Sequence, residues 1–400
     1  MQAPAERSYD VVIVGGAMIG SAIAWFLTDD PGFTGRVLVI ERDPSYSMCS
    51  TAHTNSCIRQ QFSAPINIRI SQFGADFVKN FKRYMKHDPR LPQPVLQNFG
   101  YLYLADTEAG AQALQAAQAV QAATGAGTRH MRAAEIGAEY PFYHLDDIVA
   151  GNHNTVDEGY FDGATLFDWW KRIARERGVT YLHNEVTGLE LAEGGTRVTG
   201  VRLATGETIG CGVMVNCAGP RAARVAAMAG IALPVEPRKR YTYVFQAEAP
   251  LSRDLPLTID PSGVHMRTDG RYYMAGCPPD DDPAVEPDDF APDHSLWEEK
   301  VWPVLAHRVP SFERIRLMNS WVGHYAYNTL DQNAVLGPHD AIGNFIFANG
   351  FSGHGFQQSP AVGRGIAEWI VHGGYRTLDL SPFGYDRIRA GRPFVEHAVI

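Results

Sequence analysis

The sequence predicts an α/β fold of two interleaved domains, one of them a dinucleotide-binding half assembled from separated stretches of chain. Three observations predict it. Residues 9–41 read YDVVIVGGAMIGSAIAWFLTDDPGFTGRVLVIE, an order of strand, glycine turn, helix, strand and acid. Two later stretches, residues 212–220 and 344–356, each run an apolar strand into a turn of small residues. Between these lie alternating runs that belong to a second unit rich in strands.

The first element sets the physical requirements. In the turn Gly15-Gly16-Ala17-Met18-Ile19-Gly20, Gly15 allows the chain to leave the strand sharply and Gly20 lets the helix approach the sheet. The helix start offers free N–H groups to a pyrophosphate. Glu41 closes the second strand, where a carboxylate accepts hydrogen bonds from an adenosine ribose. Ala17 replaces the middle glycine of the usual G-x-G-x-x-G, the smallest departure available.

Composition excludes other classes. A net charge of −9 and pI near 5.9 argue against a nucleic-acid surface. No stretch approaches the roughly 20 apolar residues of a membrane span. The start, MQAPAERSYD, lacks the basic and apolar segments of a secretory signal, so a cytoplasmic protein is expected. Five cysteines without metal-ligand spacing read as reduced thiols, and no metal site is expected.

Residues 42–56 (RDPSYSMCSTAHTNS) form a long polar connection expected to run along the cofactor. Arg59 follows, with two readings: a surface ion pair, or, in a dry pocket, a planar fork that clamps a substrate carboxylate. Residues 67–85 carry a helical pattern ended by the proline-rich 89–94. Residues 100–105 (GYLYLA) alternate as a strand and mark the crossover into the second domain, before an Ala/Gln-rich, solvent-facing helix over 109–123.

Residues 157–163 read as a turn, from which Asp162 caps a helix over 164–176 that Gly178 ends. Runs at 180–182, 186–191 and 198–203 predict strands, and 212–216 leads through Ala218-Gly219 back to the first domain. After 234–237 the chain leaves again. Residues 238–245 and 263–276 read as strands, the latter a hairpin through Asp269-Gly270. Residues 278–292 are acidic and Pro-rich, a surface loop, and 296–309 a helix. The last return is a strand over 344–349, the turn 350–356 (GFSGHGF) and a helix over 359–371. Backbone N–H groups at that turn suit stabilisation of negative charge; its other reading is an ordinary tight turn.

Taken together, VVIVGGAMIGSAIAWFL, the serine-rich loop into CIRQQF, VMVNCAGP and NGFSGHGFQQSPAVG resemble the D-amino-acid oxidase and sarcosine oxidase family of FAD-dependent amine oxidoreductases. The resemblance covers residues 9–370, and GFSGHGF is most similar to the monomeric sarcosine oxidase branch. It implies a discontinuous Rossmann-like FAD-binding domain (1–90, 151–233 and 331–400) and a substrate domain (91–150 and 234–330) with a mixed, largely antiparallel sheet. It further implies oxidation of a carboxylate-bearing secondary or N-alkyl amine by hydride transfer to flavin N5, giving an imine that water hydrolyses. The electron acceptor is oxygen or another carrier. Residue by residue, it puts Gly15, Ala17, Met18, Ile19, Gly20 and Glu41 at the FAD pyrophosphate and ribose, Arg42, Ser50 and Thr51 near the cofactor, and the Val186 backbone at adenine. Ala218 and Gly219 match the second junction. Gly353, His354, Gly355, Phe356 and Gln357 match the pyrimidine edge of the flavin, and Arg59 the substrate carboxylate.

Departures from the family pattern matter. Gln357 stands where the branch has a lysine, so carboxylate binding rests more heavily on Arg59, with Arg240, Arg267 or Tyr241 as helpers. Met274 stands where it has the lysine that promotes reaction with oxygen. That favours a dehydrogenase, unless His265 or Arg267 supplies the charge. The branch's cysteine thioether is ruled out, because no cysteine follows Cys277. His53 resembles the histidine linked to flavin in dimethylglycine and sarcosine dehydrogenases; its other reading is a hydrogen-bonding residue. Tyr241, Tyr243, Tyr272 and Tyr273 either form an aromatic wall or pack the sheet. A primary D-amino acid or a 2-hydroxy acid is an alternative substrate. A non-catalytic assembly factor that keeps FAD as structure is the alternative of another class.

Overall fold

The computed structural model describes residues 1–397, whose strands gather into three sheets. In the first, Ser8–Val14 lies between Val37–Glu41 and Thr208–Asn216 and runs parallel to both. Thr180–His183 extends one side in parallel, and Val198–Leu203 and Val186–Leu191 extend the other antiparallel. Phe345–Asn349 joins the C-terminal part of Thr208–Asn216 in parallel, and Val335–Pro338 pairs antiparallel with it. The near-continuous apolar runs read from the sequence suit such strands, because helices and loops cover both faces.

The helix Met18–Asp29 packs between Gly355–His372 and Gly163–Glu176. Its contact with the former is close because Gly363 lies on Ala22; a Cβ there would stand 2.8 Å from the Ala22 methyl. Asp162 caps Gly163–Glu176 as expected, its Oδ1 accepting the Thr165 N–H at 3.1 Å. Gly355–His372 begins four residues earlier than the sequence pattern suggested. Pro360 within it has no N–H for the Phe356 carbonyl, and the Ser359 hydroxyl donates to that oxygen instead, at 2.8 Å.

The second sheet has the order Ile315–Asn328, Val235–Ala247, Tyr272–Cys277, His265–Asp269, Leu257–Ile259, Tyr101–Ala105, Ala150–Asn154 and Arg129–Arg132. All its pairings are antiparallel except Leu257–Ile259 with Tyr101–Ala105, so it is mixed and largely antiparallel. Ala150–Asn154 pairs inside it, so the boundary expected after residue 150 falls within a strand. The expected turn at 157–163 contains a short strand, Gly159–Phe161, at the centre of the third sheet between Cys57–Ile58 and Leu96–Gln97. The helix expected over 296–309 opens with a wider π turn, Trp297–Val301, before Trp302–Arg308. Among the described residues no helix is long and apolar enough to cross a membrane.

Candidate functional site

A cavity of about 460 Å³ runs along the C-terminal ends of the first sheet's parallel strands and under the second sheet. At one end lies Glu41. Its Oε2 accepts the Gly16 N–H at 2.8 Å and its Oε1 the Asp43 N–H at 2.9 Å, while burial raises its pKa. Arg42 and Val186 line the same end.

The glycine turn comes next. Gly15 has φ +100°, and a Cβ on it would stand 2.4 Å from the Cys217 carbonyl oxygen, so the turns after two neighbouring strands close on each other. Ala17 caps the Met18–Asp29 helix without a side-chain bond, which leaves first-turn N–H groups facing the cavity. Met18 N–H reaches Thr51 Oγ1 at 3.4 Å, and Ile19, Ala218 and Gly219 line the same stretch. Gly20 is not part of the lining. A Cβ there would lie 2.0 Å from the Gly15 carbonyl oxygen, so its role is the close packing of helix on turn. The polar loop does run along the cavity: Ser50 Oγ donates to the His324 carbonyl at 2.6 Å, and His53 Nδ1 donates to the Cys49 carbonyl at 3.0 Å.

At the far end, Gly353 (φ +94°) crosses the face of Tyr325, and a Cβ would stand 2.4 Å from that ring. His354, Gly355, Phe356 and Gln357 follow at the start of Gly355–His372 and line the cavity. The Phe356 ring itself packs on Gly163 and Phe161.

Arg59 is a buried lining residue, 1% exposed, which excludes the surface ion pair. Its backbone N–H donates to Gln357 Oε1 at 2.9 Å, Nη1 donates to the Gln61 carbonyl, and Nη2 donates to His354 Nε2 at 2.8 Å. The guanidinium stacks on Phe62, 3.9 Å from the ring centroid. Burial, and then the charge of Arg59, push His354 well below its usual value, so the imidazole is neutral and accepts. Gln357 therefore acts on the Arg59 main chain, and its oxygen also takes the Ser71 hydroxyl at 3.4 Å.

Several expectations need correction. Met274 does not line the cavity; its sulfur accepts an Arg267 N–H at 3.4 Å. Tyr241 touches the cavity wall, but its ring belongs with Tyr243, Phe245 and Tyr273 to the core on the sheet's other face. Strand alternation turns Thr242 toward the cavity instead, where its Oγ1 meets Asn55 Oδ1 at 3.4 Å. Neither arginine helper is an idle cation. Asp282 holds Arg240 through two bonds, at 2.6 and 3.1 Å. Arg267 is tied to Asp269 at 2.9 Å and to the Asn55 carbonyl at 3.0 Å. His265 does line the cavity and accepts from Asn55 Nδ2 at 3.0 Å, but burial pushes it down to about 4, so it carries no charge at neutral pH.

The acidic segment is a strap over the mouth rather than a free surface loop. Pro287 and Phe290 line the cavity, and Phe290 stacks on His324 with centroids 4.2 Å apart. Asp288 takes Arg42 at 3.3 Å as well as Arg221, Glu286 takes Arg224, and Asp289 takes Lys239 at 2.7 Å. Sequence reasoning missed this closure, along with Asn55, Tyr101 and Tyr325 in the wall. The one signal was charge: acids at 286–289 answer arginines at 221 and 224. Elsewhere, His144, Asp147 and His307 bring ligand atoms within 4.8 Å of one another. Asp147 there is already held by two Arg308 N–H groups at 2.8 Å, so the group reads as an ion-pair network.

The family model described as FAD dependent oxidoreductase (DAO) matches residues 10–369. "FAD-dependent oxidoreductase domain-containing protein 1" of Xenopus laevis is 38% identical, over 99% of this chain and 86% of that protein. Sarcosine oxidase subunit beta of Rhizobium meliloti (strain 1021) is 26% identical, over 96% of this chain and 89% of that protein. The crystal structure of L-proline dehydrogenase from P. horikoshii superposes with a TM-score of 0.82 at 25% identity, covering 97% of this chain and 99% of that one.

Proposed function

The chain belongs to the DAO family of FAD-dependent oxidoreductases, and from that premise we propose that it oxidises the C–N bond of an amine that carries a carboxylate, an N-alkyl or secondary amino acid. The observation that carries this reading is the buried Arg59 guanidinium in the cavity wall beside the turn at Gly353–His354. A planar cation in a dry wall suits a carboxylate, and its stacking on Phe62 leaves the fork oriented. The sarcosine and proline enzymes among the relatives act, by their names, on secondary amino acids.

The lining fits FAD at both glycine turns, where a Cβ would strike the Cys217 backbone at Gly15 or the Tyr325 ring at Gly353. Backbone N–H groups from Ala17 to Ile19, with Thr51 beside that of Met18, would hold the pyrophosphate, Glu41 the ribose, and the Val186 backbone the adenine. The first turn at Gly355 would face the pyrimidine edge, where helix N–H groups favour negative charge. Bound there, FAD would supply the two-electron acceptor that oxidation of the carbon next to nitrogen requires, and the imine product would be open to hydrolysis by water. The chain's own contribution is to fix the carboxylate on Arg59, exclude water beneath the second sheet and present a neutral His354. No dedicated base is needed once the substrate nitrogen is neutral.

Arg59→Ala tests the reading. The variant keeps its flavin and loses affinity for sarcosine and L-proline by roughly 100-fold, the worth of a charge-assisted pair in a dry site. Sarcosine methyl ester, which lacks the carboxylate, is affected much less. Unchanged affinity for the acids removes Arg59 from the site.

A further inference from the structure

Glu158 is fully buried just before the Gly159–Phe161 strand, and it lies outside the cavity lining. Its Oε1 accepts the Gln60 backbone N–H at 2.6 Å, and its Oε2 accepts from Gln61 Nε2 at 2.9 Å. The same Gln61 amide nitrogen also donates to the carbonyl of Tyr101, a cavity-wall residue, at 3.1 Å. The Gln61 carbonyl in turn accepts from Arg59 Nη1. A path of hydrogen bonds and the covalent frame of two consecutive glutamines thus runs from a buried acid to the guanidinium in the cavity wall.

Burying a carboxylate is costly unless it is well satisfied, and an apolar residue would fill this place at lower cost. Two of the bonds Glu158 accepts, from Gln60 and Gln61, fix the short segment that sets where the Gln61 carbonyl points. We propose that Glu158 is a positioning residue for substrate binding: by anchoring the Gln60–Gln61 main chain it holds the Arg59 guanidinium in the orientation that receives a substrate carboxylate. This rests on the amine-oxidising reading above.

A consequence concerns pH. Burial raises the Glu158 carboxyl to about 7, against hydrogen bonds from Gln61, Gln60 and Asn154 and the charge of Arg59, which lower it. The other titratable groups around it are Arg59, Tyr101 and Tyr103, with His354 beyond Arg59. Both phenols are pushed up by burial and His354 is pushed well down, so these stay fixed in charge near neutrality. Asp157 next door is tied to Lys79 at the surface, 2.6 Å away. The anchor is therefore strongest above pH 7, where Glu158 is ionised, and weakens below it.

Glu158→Gln keeps the shape but sets an NH₂ group against a donor that the carboxylate now accepts from. On the FAD-loaded protein, benzoate binding is read from the shift of the flavin absorbance, with benzamide as the uncharged isostere, alongside KM and kcat for sarcosine. The expected result is a benzoate Kd and a sarcosine KM about tenfold higher, the size of one lost buried hydrogen bond, with kcat and flavin content unchanged. Benzamide binding does not change, and the variant adds nothing in an Arg59→Ala background. In the wild type, benzoate Kd rises as pH falls from 8 to 6, and in the variant it is flat. Should Glu158→Gln fail to hold FAD, the wild-type pH series and Glu158→Asp, with weakened but partial binding expected, decide the matter.

Equal weakening of benzamide, an unaltered Kd, or tighter benzoate binding at low pH overturns the proposal. If Arg59→Ala weakens the acids and Glu158→Gln does not, only the positioning role falls. If neither variant matters, the carboxylate reading falls with it.

Discussion

Gly15→Ala should uncouple FAD binding from folding, because the added methyl runs into the backbone of the neighbouring turn at Cys217 and Ala218. The new Cβ would stand 2.4 Å from the Cys217 oxygen and 2.8 Å from its carbonyl carbon, whereas even a close C–H···O contact needs roughly 3.3 Å. Neither strand end can yield cheaply: Gly15 N–H bonds to the Ile40 carbonyl at 2.9 Å and Cys217 N–H to the Val14 carbonyl at 2.8 Å. The φ of +100° adds about 1–3 kcal/mol of backbone strain, and the overpacking about 1–3 kcal/mol more. If about 2–5 kcal/mol falls on the bound turn, the FAD Kd rises from roughly 30-fold to several thousandfold. Fluorescence titration of the apoprotein with FAD, with thermal unfolding in parallel, measures it. Gly230→Ala is the control: its φ is +74° but nothing lies within 4 Å of the new Cβ, so it should cost about 1 kcal/mol of stability and no FAD affinity. A Gly15→Ala protein that takes up FAD like the wild type would refute the reasoning.

Other outcomes follow from the same contacts. Asp288 is largely exposed, so its two arginine pairs are worth at most about 1 kcal/mol each; Asp288→Asn should speed FAD release about three- to tenfold at low salt, and added salt should bring the wild type to the same rate. Equal release rates at low salt would mean that the strap does not close the mouth. Ser359→Ala removes the bond that replaces the missing Pro360 N–H, and a thermal melt should show about 1 kcal/mol lost, with flavin content intact. His153, fully buried, is pushed by desolvation down to about 4, below its unfolded value. Its contribution is therefore present above about pH 6.5 and lost as pH falls toward 4, by about 3 kcal/mol, and denaturant midpoints of His153→Gln should lack that slope.

The sequence was most legible where a residue type has one structural use. A glycine between a strand and a helix, or an aspartate before a helix, leaves few alternatives, and Gly15 at its sharp turn and Asp162 at its cap behave as read. Alternation identified the strand at 238–245 but not which parity faces the cavity. Thr242 rather than Tyr241 turns to the cavity because the aromatic core lies on the far face. Met274 was placed by analogy within a hairpin, and the pairing of its strand puts it beside Arg267. Gln357 was read as the uncharged residue at a lysine position, a reading that left out its support of the Arg59 backbone, a contact across 298 residues that no local pattern encodes. Apart from its charge, the strap left no local signal for the same reason: its partners come from positions 42, 221, 224 and 239.

The most direct measurement is an anaerobic titration of the purified, FAD-loaded protein with sarcosine and L-proline, following the flavin absorbance. The account predicts bleaching that ends at one substrate oxidised per flavin, with recovery on admitting oxygen or an artificial acceptor. A flavin band that stays unchanged with every carboxylate-bearing amine, yet bleaches with dithionite, would contradict it.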